Sequence, residues 1–184
     1  MYPIVDIVEH QTIASVQKEA DLDAAIRSKV NVVFLLAGSL LNVRELTEQL
    51  KLAGKHVFLH MEFIEGLAAD RSGVAYLARH VKPTGIISTK SMVIKAAKDH
   101  GLMAIQRIFL IDRNAVLRGI KAVEQNVPDA VEVMPGIMPR IIREVTTMTP
   151  LPIIAGGLVA NQREIDEGLE AGALGISVGT ASLW

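Results

Sequence analysis

The chain has 184 residues, half of them apolar, and a net charge of −1. This length fits one domain with ample residues for a core, and the apolar content excludes a disordered chain. The lack of cysteine excludes disulfides and thiolate metal sites and fits a reducing compartment. Because there is neither a run of 18 apolar residues nor a basic leader, we expect a cytoplasmic protein without a membrane segment.

The first half of the chain alternates short apolar runs with segments of helical periodicity. The clearest strand reads VVFLLA and ends at Gly38, and the helix after it has Asn42 as a predicted cap and Gly54 as its stop. The predicted elements are, in chain order, strand 12–16, helix 21–28, strand 32–37, helix 42–53, strand 57–63, helix 73–80, strand 85–88 and helix 91–100.

The second half continues the alternation, and its last two strands end in glycine. A helix opens at Asn161 or Gln162, between these two strands. The predicted elements are strand 103–109, helix 113–125, strand 130–134, helix 137–147, strand 152–158, the helix from 161 or 162, and strand 176–180.

Eight such alternations predict a closed (β/α)8 barrel of the TIM type, as a single domain over residues 1–184. The chain ends at Trp184, so the last helix must be abbreviated. We expect Leu183 and Trp184 to cover the barrel flank that it leaves open, and an exposed flank would favour a homo-oligomer.

The glycine-ended strands predict a phosphate site. Gly156 and Gly157 follow one strand, and Gly179 and Thr180 follow the next. Glycine lets backbone N–H groups approach a ligand, and the following helix would direct its N-terminus to the same place. Loops after the last two strands form the usual phosphate site of such barrels. The alternative is that these glycines only turn the chain.

Polar side chains on the barrel axis predict a polar cup beside this site. The odd positions of strand 57–63 are apolar and suit the helix layer, so His60 and Glu62 should face the axis. The same alternation turns Glu132 inward, and we expect Gln106 to face the same way. Arg107 should then face outward, but its side chain is long enough to curl over the rim, which leaves its role open. An inward carboxylate needs a partner or a ligand, and a polyol hydroxyl would serve.

Each of these residues also has a structural interpretation. Glu62 and Glu132 could form ion pairs with Arg107 or Lys90. His60 could be a hydrogen-bonded interior residue rather than a catalytic base. We expect no metal site and no cofactor, because no cluster of metal ligands or nucleophile motif is found in the sequence.

Positive charge is concentrated between Arg79 and Lys121. This segment has nine basic and two acidic residues, a net charge of +7, and the remainder of the chain carries −8. Such asymmetry indicates a surface for a polyanion, although a solvated pair of basic helices would show it too. The candidates for contact with such a polyanion are Lys90, Lys95, Lys98, Arg107, Arg113, Arg118 and Lys121.

At these residues the sequence resembles the glycerol-3-phosphate-responsive antiterminators, regulators of bacterial glycerol-uptake operons. The resembling stretches cover most of the chain after residue 55; they are KPTGIISTK at 82–90, AIQR at 104–107, VEVMPGI at 131–137, AGGL at 155–158 and the ending Leu183-Trp184.

The resemblance implies a barrel that binds glycerol 3-phosphate and acts on leader mRNA, without catalysis. It makes the basic residues named above the candidates for contact with RNA. It implies a ligand site made from residues at the ends of the strands, namely Glu62, Gln106, Glu132, Gly136, Gly156, Gly157, Gly179 and Thr180. The residues alone leave two alternatives, an enzyme acting on a small phosphorylated polyol with Glu62 and Glu132 as acid and base, and a barrel that is only an oligomeric scaffold.

Overall fold

The structure is a computed structural model and describes residues 4–8 and 10–184. In these residues, eight parallel strands form a barrel that closes where β1 pairs with β8. The strands are β1 (Thr12–Val16), β2 (Val32–Leu35), β3 (His56–His60), β4 (Gly85–Ser88), β5 (Met103–Phe109), β6 (Ala130–Met134), β7 (Ile153–Gly156) and β8 (Gly175–Val178). The predicted (β/α)8 barrel is therefore confirmed.

Helices between the strands form the outer layer. One further helix, α1, precedes β1. The helices are α1 (Ile4–Ile7), α2 (Leu22–Arg27), α3 (Val43–Leu52), α4 (Arg71–Tyr76, extended by wider turns over Leu77–Val81), α5 (Ser91–Asp99), α6 (Arg113–Asn126), α7 (Pro139–Met148) and α8 (Gln162–Glu170). Among the described residues, no helix combines the length and the apolar character needed to span a membrane.

The barrel interior is filled by large side chains from alternate strand positions. Phe34 and Phe58 meet edge to face, with ring centroids 5.9 Å apart, and Ile13 and Ile105 pack in the same cluster. Helix α1, which the sequence patterns did not reveal, adds Ile4 and Ile7 to this cluster. Since the cluster contains the first residues of several strands, α1 closes the N-terminal end of the barrel and leaves its C-terminal end as the open one.

Local differences from the predicted elements follow from side-chain bonding. Strand β3 ends at His60, and residues Met61–Phe63 form a 3-10 turn. Asn42 stands at the start of α3, but its Oδ1 accepts from the backbone N–H of Ser39 and not from a helix amide. Asn42 therefore stabilises the loop of residues 39–42 and does not cap the first turn of α3.

The abbreviated last helix is confirmed. After β8 the chain forms only a 3-10 turn, Ala181–Leu183. Leu183 and Trp184 pack against the helix-side core, and Trp184 Nε1 donates to the carbonyl oxygen of Val178 over 2.7 Å. One aromatic side chain thus covers the flank that a full helix occupies in longer barrels.

Replacement of Trp184 by alanine should lower the free energy of unfolding by about 2 kcal/mol, because it removes a half-buried ring and its hydrogen bond. Urea denaturation measures the change. Leu52→Ala is the control, since Leu52 is 89% exposed, and it should change stability by less than about 0.5 kcal/mol. Equal losses in the two variants would contradict this role of Trp184.

Candidate functional site

The C-terminal ends of the strands surround a cavity of about 680 Å³, here called the mouth cavity. Ligand sites of (β/α)8 barrels lie at this end. Among the residues that the structure describes, its lining contains one charged side chain, that of Arg107, and no carboxylate. The lining residues are Ser15, Gln17, Leu36, Phe63, Arg107, Phe109, Met134, Gly157, Leu158, Val159, Ser177, Gly179 and Thr180.

Backbone N–H groups are the main polar donors of the mouth cavity. In the described part of the chain, the amides of Gly157, Leu158, Val159, Gly179 and Thr180 have no hydrogen-bond acceptor. Gly157 and Leu158 have φ angles of 77° and 63°, a left-handed conformation that turns successive N–H groups toward one side. Two loops thus present free amides to one cavity, an arrangement suited to an anion.

The N-terminus of α8 offers fewer free N–H groups to an anion than expected, because side chains of this helix and its cap bond to them. Asn161 Oδ1 accepts from the N–H of Glu164 over 3.1 Å, and Glu164 Oε2 accepts from the N–H of Ala160 over 2.7 Å. This pair of bonds is similar to a capping box, but the Glu164 carboxylate accepts from the residue before the cap; it places a carboxylate at the helix N-terminus. The loop amides, and not the α8 terminus, are therefore the available donors.

A buried ion pair lies directly beneath the mouth cavity. Arg107 Nε lies 2.6 Å from Glu132 Oε2, and Ser177 Oγ donates to Glu132 Oε1 over 2.8 Å. Glu132 is fully buried and Arg107 is 5% exposed. Within the described part of the chain Arg107 bonds only through Nε, so its Nη donors are available to a ligand. Of the two interpretations of Glu132, the ion pair is the one observed.

The predicted orientation of Gln106 was wrong, and the structure decides that of Arg107, which the sequence left open. Arg107 pairs in register with Glu132 and faces the axis, whereas Gln106 faces the helices. There Asn126 Nδ2 donates to Gln106 Oε1 over 2.9 Å and to Ser91 Oγ over 2.7 Å, which joins α5 and α6 to β5. Strand β5 has a polar residue on each side, so alternation could not choose between them.

Glu62 does not share a cup with Glu132, because it bonds to the end of β4. Its Oε1 accepts from Ser88 Oγ at 2.6 Å and from the N–H and hydroxyl groups of Thr89 at 2.9 and 3.0 Å. Burial raises the pKa of Glu62, but the contacts with His60, Ser88 and Thr89 outweigh it and lower the pKa to about 2. Glu62 is thus a bound anion and a structural link between β3 and β4.

His60 faces the barrel axis, as alternation predicts, and is 1% exposed. Its Nδ1 lies 3.0 Å from Glu62 Oε2, but neither ring nitrogen has a hydrogen bond of good geometry within the described residues. The ring of Phe63 packs edge to face on His60, with centroids 4.6 Å apart, and Phe63 also lines the mouth cavity. Phe63 therefore separates from the cavity a buried imidazole whose Nδ1 faces Glu62 and whose Nε2 has no partner among the described residues.

Gly136 and Gly156 allow close packing and do not line the mouth cavity. A Cβ atom on Gly156 would lie 1.9 Å from Ser177 Oγ, and one on Gly136 would lie 2.8 Å from the backbone nitrogen of Gly156. The N–H of Gly136 also donates to the carbonyl oxygen of Gly157 over 3.0 Å. Among the predicted glycines, Gly157 and Gly179 are the two that face the cavity.

The predicted basic residues fall into two groups. Three are held by carboxylates: Arg107 by Glu132, Lys98 by Asp129 and Arg113 by Glu144. Arg107 is also buried, so its assignment as a residue in contact with RNA was wrong. The others are exposed and have no carboxylate partner among the described residues; they are Lys90, Lys95, Arg118 and Lys121.

Ser15, Gln17 and Ser177 were not among the predicted site residues. In β8, Ser177 stands between Ile176 and Val178, which face the helices. Period-two alternation would therefore have turned Ser177 inward, as it did for Glu132. The same pattern holds for Ser15 in β1, so alternation in the sequence indicates an inward position for both serines. Gln17 lies beyond the end of β1, where alternation no longer applies.

Comparison with known proteins gives consistent matches over nearly the whole chain. The model of a family described as glycerol-3-phosphate responsive antiterminator matches residues 12–184. The protein YgcP of Escherichia coli K12 is 32% identical over 176 residues, 96% of this chain and 92% of that protein.

Two solved structures share the fold. The glycerol uptake operon antiterminator regulatory protein of Listeria monocytogenes is 28% identical, with a TM-score of 0.92, over 96% of this chain and 95% of that one. A glycerol uptake operon antiterminator-related protein of Thermotoga maritima is 32% identical, with a TM-score of 0.83, over 94% of this chain and 96% of that one.

The lowered pKa of Glu62 predicts acid sensitivity. Because the folded pKa, about 2, lies below the ordinary value of 4.5, ionised Glu62 stabilises the fold at higher pH, and this contribution is lost as pH falls from 4.5 toward 2. We expect Glu62→Gln to cost about 2 kcal/mol at pH 6, after allowance for solvent screening, and less than about half of that at pH 3.

Urea denaturation of the wild type and Glu62→Gln at the two pH values measures this difference. A cost that is the same at pH 6 and pH 3 would contradict an ionised, structurally bonded Glu62.

Proposed function

This chain belongs to the glycerol-3-phosphate responsive antiterminator family, and on that premise we propose that it binds glycerol 3-phosphate in the mouth cavity and acts on the leader mRNA of glycerol-uptake operons. The observation that carries the ligand assignment is the convergence of free backbone amides and Arg107 on a cavity whose lining has no carboxylate. We also propose that the protein is cytoplasmic, because its proposed target, the leader mRNA, is in the cytoplasm.

The phosphate fits the side of the cavity formed by the loops after β7 and β8. The free N–H groups of Gly157, Leu158, Gly179 and Thr180 can bind phosphate oxygens, as amides of such loops do in other barrels. A charge-assisted hydrogen bond to an anion is about twice as strong as a neutral one. The proposed phosphate position therefore follows from the donors and not from the α8 terminus.

The glycerol part fits the polar floor. Ser177 donates to Glu132, so its hydroxyl oxygen can still accept a hydrogen bond from a ligand hydroxyl. Ser15 and Gln17 add further polar groups, and the Nη donors of Arg107 complete the set. Glu132 would contribute through Arg107 and Ser177, because its own carboxylate is fully buried.

The action on mRNA rests on the family and on exposed basic residues. Lys90, Lys95, Arg118 and Lys121 carry charges that no described carboxylate neutralises. A ligand can regulate such binding only if it has different affinities for two states of the protein. We propose that glycerol 3-phosphate favours the state that binds RNA. Formation of a homo-oligomer stays a prediction.

Catalysis on a small phosphorylated polyol is the second candidate function, and buried His60 is the observation that favours it. Its Nε2 has no partner among the described residues, and its ring lies behind Phe63, which lines the mouth cavity. An imidazole in this place could move a proton if Phe63 turned aside. Phosphorus NMR of glycerol 3-phosphate incubated with the protein decides between the two, since a regulator leaves the compound unchanged.

Calorimetric titration tests the ligand site. Gly179→Val should reduce affinity for glycerol 3-phosphate by at least about tenfold, because its side chain would occupy the space in front of the free amides. The nearest atom to a Cβ at residue 179 is the flexible Gln17 side chain, at 3.1 Å, so the fold should survive.

Ala181→Val is the matched control, because it adds bulk at an exposed position two residues further along. It should bind glycerol 3-phosphate like the wild type. Absence of binding heat in the wild type would remove both candidate functions.

Gel retardation of a glycerol-operon leader RNA tests the regulatory function. We expect glycerol 3-phosphate to increase RNA affinity, and RNA to increase ligand affinity by the same factor, because linkage is reciprocal. Affinity should fall steeply with salt concentration. Equal retardation with and without glycerol 3-phosphate would contradict a ligand-responsive regulator.

A further inference from the structure

A second cavity of about 630 Å³ lies on the outside of the barrel, between α3 and the end of α4; we call it the basic groove. Its lining includes Arg44, Lys51, Arg79 and Lys82, with Glu48 as its one carboxylate. The Lys and Arg side chains outnumber that carboxylate by three, a net charge of +3. The mouth cavity and the basic groove share no lining residue.

The charges of the basic groove are little neutralised. Glu48 is already bonded to Arg44, with Oε1 2.8 Å from Nε, on the exposed surface of α3. The side chains of Arg79 and Lys82 are exposed and have no ion-pair partner among the described residues. The α5–α6 surface differs, because Asp129 and Glu144 neutralise two of its basic residues.

The groove is a fixed feature of the fold. Lys51 Nζ, from the end of α3, donates to the carbonyl oxygen of Lys82 over 2.9 Å and so joins the two walls. Lys82 has a left-handed conformation, with φ of 55°, and its N–H donates to the carbonyl oxygen of Leu77 over 2.8 Å. This ordered turn sets the position of the Lys82 side chain relative to α3.

Aromatic side chains adjoin the charge. The ring of His80, a lining residue, packs on Tyr76 with centroids 5.0 Å apart and an interplanar angle of 34°. Single-stranded RNA is held by cations that contact phosphates and by flat side chains on which bases stack. The basic groove has both kinds of group within one cavity.

We propose that the basic groove is the surface that binds the leader RNA, with Arg79 and Lys82 as its principal phosphate contacts. This inference rests on the proposed function and specifies where the RNA binds. The groove extends the basic segment recognised in the sequence to Arg44 and Lys51, on a helix that precedes that segment.

The location of the groove also fits a response to ligand. Leu36 and Phe63 line the mouth cavity, and the loops that contain them lead directly into α3 and α4, the helices that form the groove. These loops are bonded to each other, since Leu40 N–H donates to Glu65 O over 2.8 Å and Glu65 N–H donates to Gly38 O over 3.0 Å. A ligand in contact with these loops is therefore linked through the chain to both walls of the groove.

Charge reversal tests the assignment by gel retardation of the leader RNA. The variant Arg79→Glu/Lys82→Glu should bind the RNA at least about tenfold more weakly than the wild type. The slope of its log affinity against log salt concentration should be shallower, by the amount expected for the loss of about one to two phosphate contacts. Neither side chain makes a hydrogen bond or ion pair in the described structure, so folding should be preserved. Circular dichroism checks that it is.

The matched control is Arg140→Glu/Arg143→Glu, which makes the same change in net charge on α7, away from the groove. It should bind the RNA within about threefold of the wild type. The additional variant Lys95→Glu/Lys121→Glu examines the α5–α6 surface, and a smaller loss than in the groove variant is the expected result.

The groove variant and the control variant should both bind glycerol 3-phosphate with the same heat as the wild type. If the wild type binds the leader RNA and the groove variant binds it as tightly as the control variant, this inference is wrong and the proposed function is unaffected. Failure of the wild type to bind the leader RNA, with or without glycerol 3-phosphate, would overturn both.

Discussion

The buried ion pair between Arg107 and Glu132 is the interaction on which the open end of the barrel depends. Transfer of two charges into a protein interior is costly, and the pair persists because each group has bonded partners. Ser177 satisfies the second oxygen of Glu132, and the mouth cavity is open to Arg107. The pair holds the Arg107 guanidinium in place through Nε and leaves its Nη donors without a partner among the described residues. A positive group therefore faces the mouth cavity, whose described lining has no carboxylate.

The glycines around this pair serve it in two ways. Gly156 leaves room for the carboxylate of Glu132 and the hydroxyl of Ser177, where any side chain would collide. Gly157 instead turns its own amide and those of its neighbours toward the cavity. The same short segment therefore supports the ion pair beneath the site and supplies donors to an anion above it.

The proposed ligand site and the proposed RNA surface occupy different parts of the barrel. The mouth cavity lies among strand ends, and the basic groove lies between two outer helices. Regulation by a small molecule requires two such sites and a part of the structure that both can bias. The loops after β2 and β3, bonded to each other through Leu40 and Glu65, contribute to the mouth cavity and lead into the helices that form the basic groove.

Local periodicity was enough to predict the barrel, the abbreviated ending and the inward placement of His60 and Glu132. The amino-acid pattern also located the free amides of Gly157 and Gly179, since glycine after a strand indicates a close backbone approach. The choice between Arg107 and Gln106 for the axis came from folding, because a strand with polar residues on both sides has no preferred face until its neighbours pair with it. Charge neutralisation was likewise decided by the fold, since Asp129 and Glu144 reach Lys98 and Arg113 only after the helices pack.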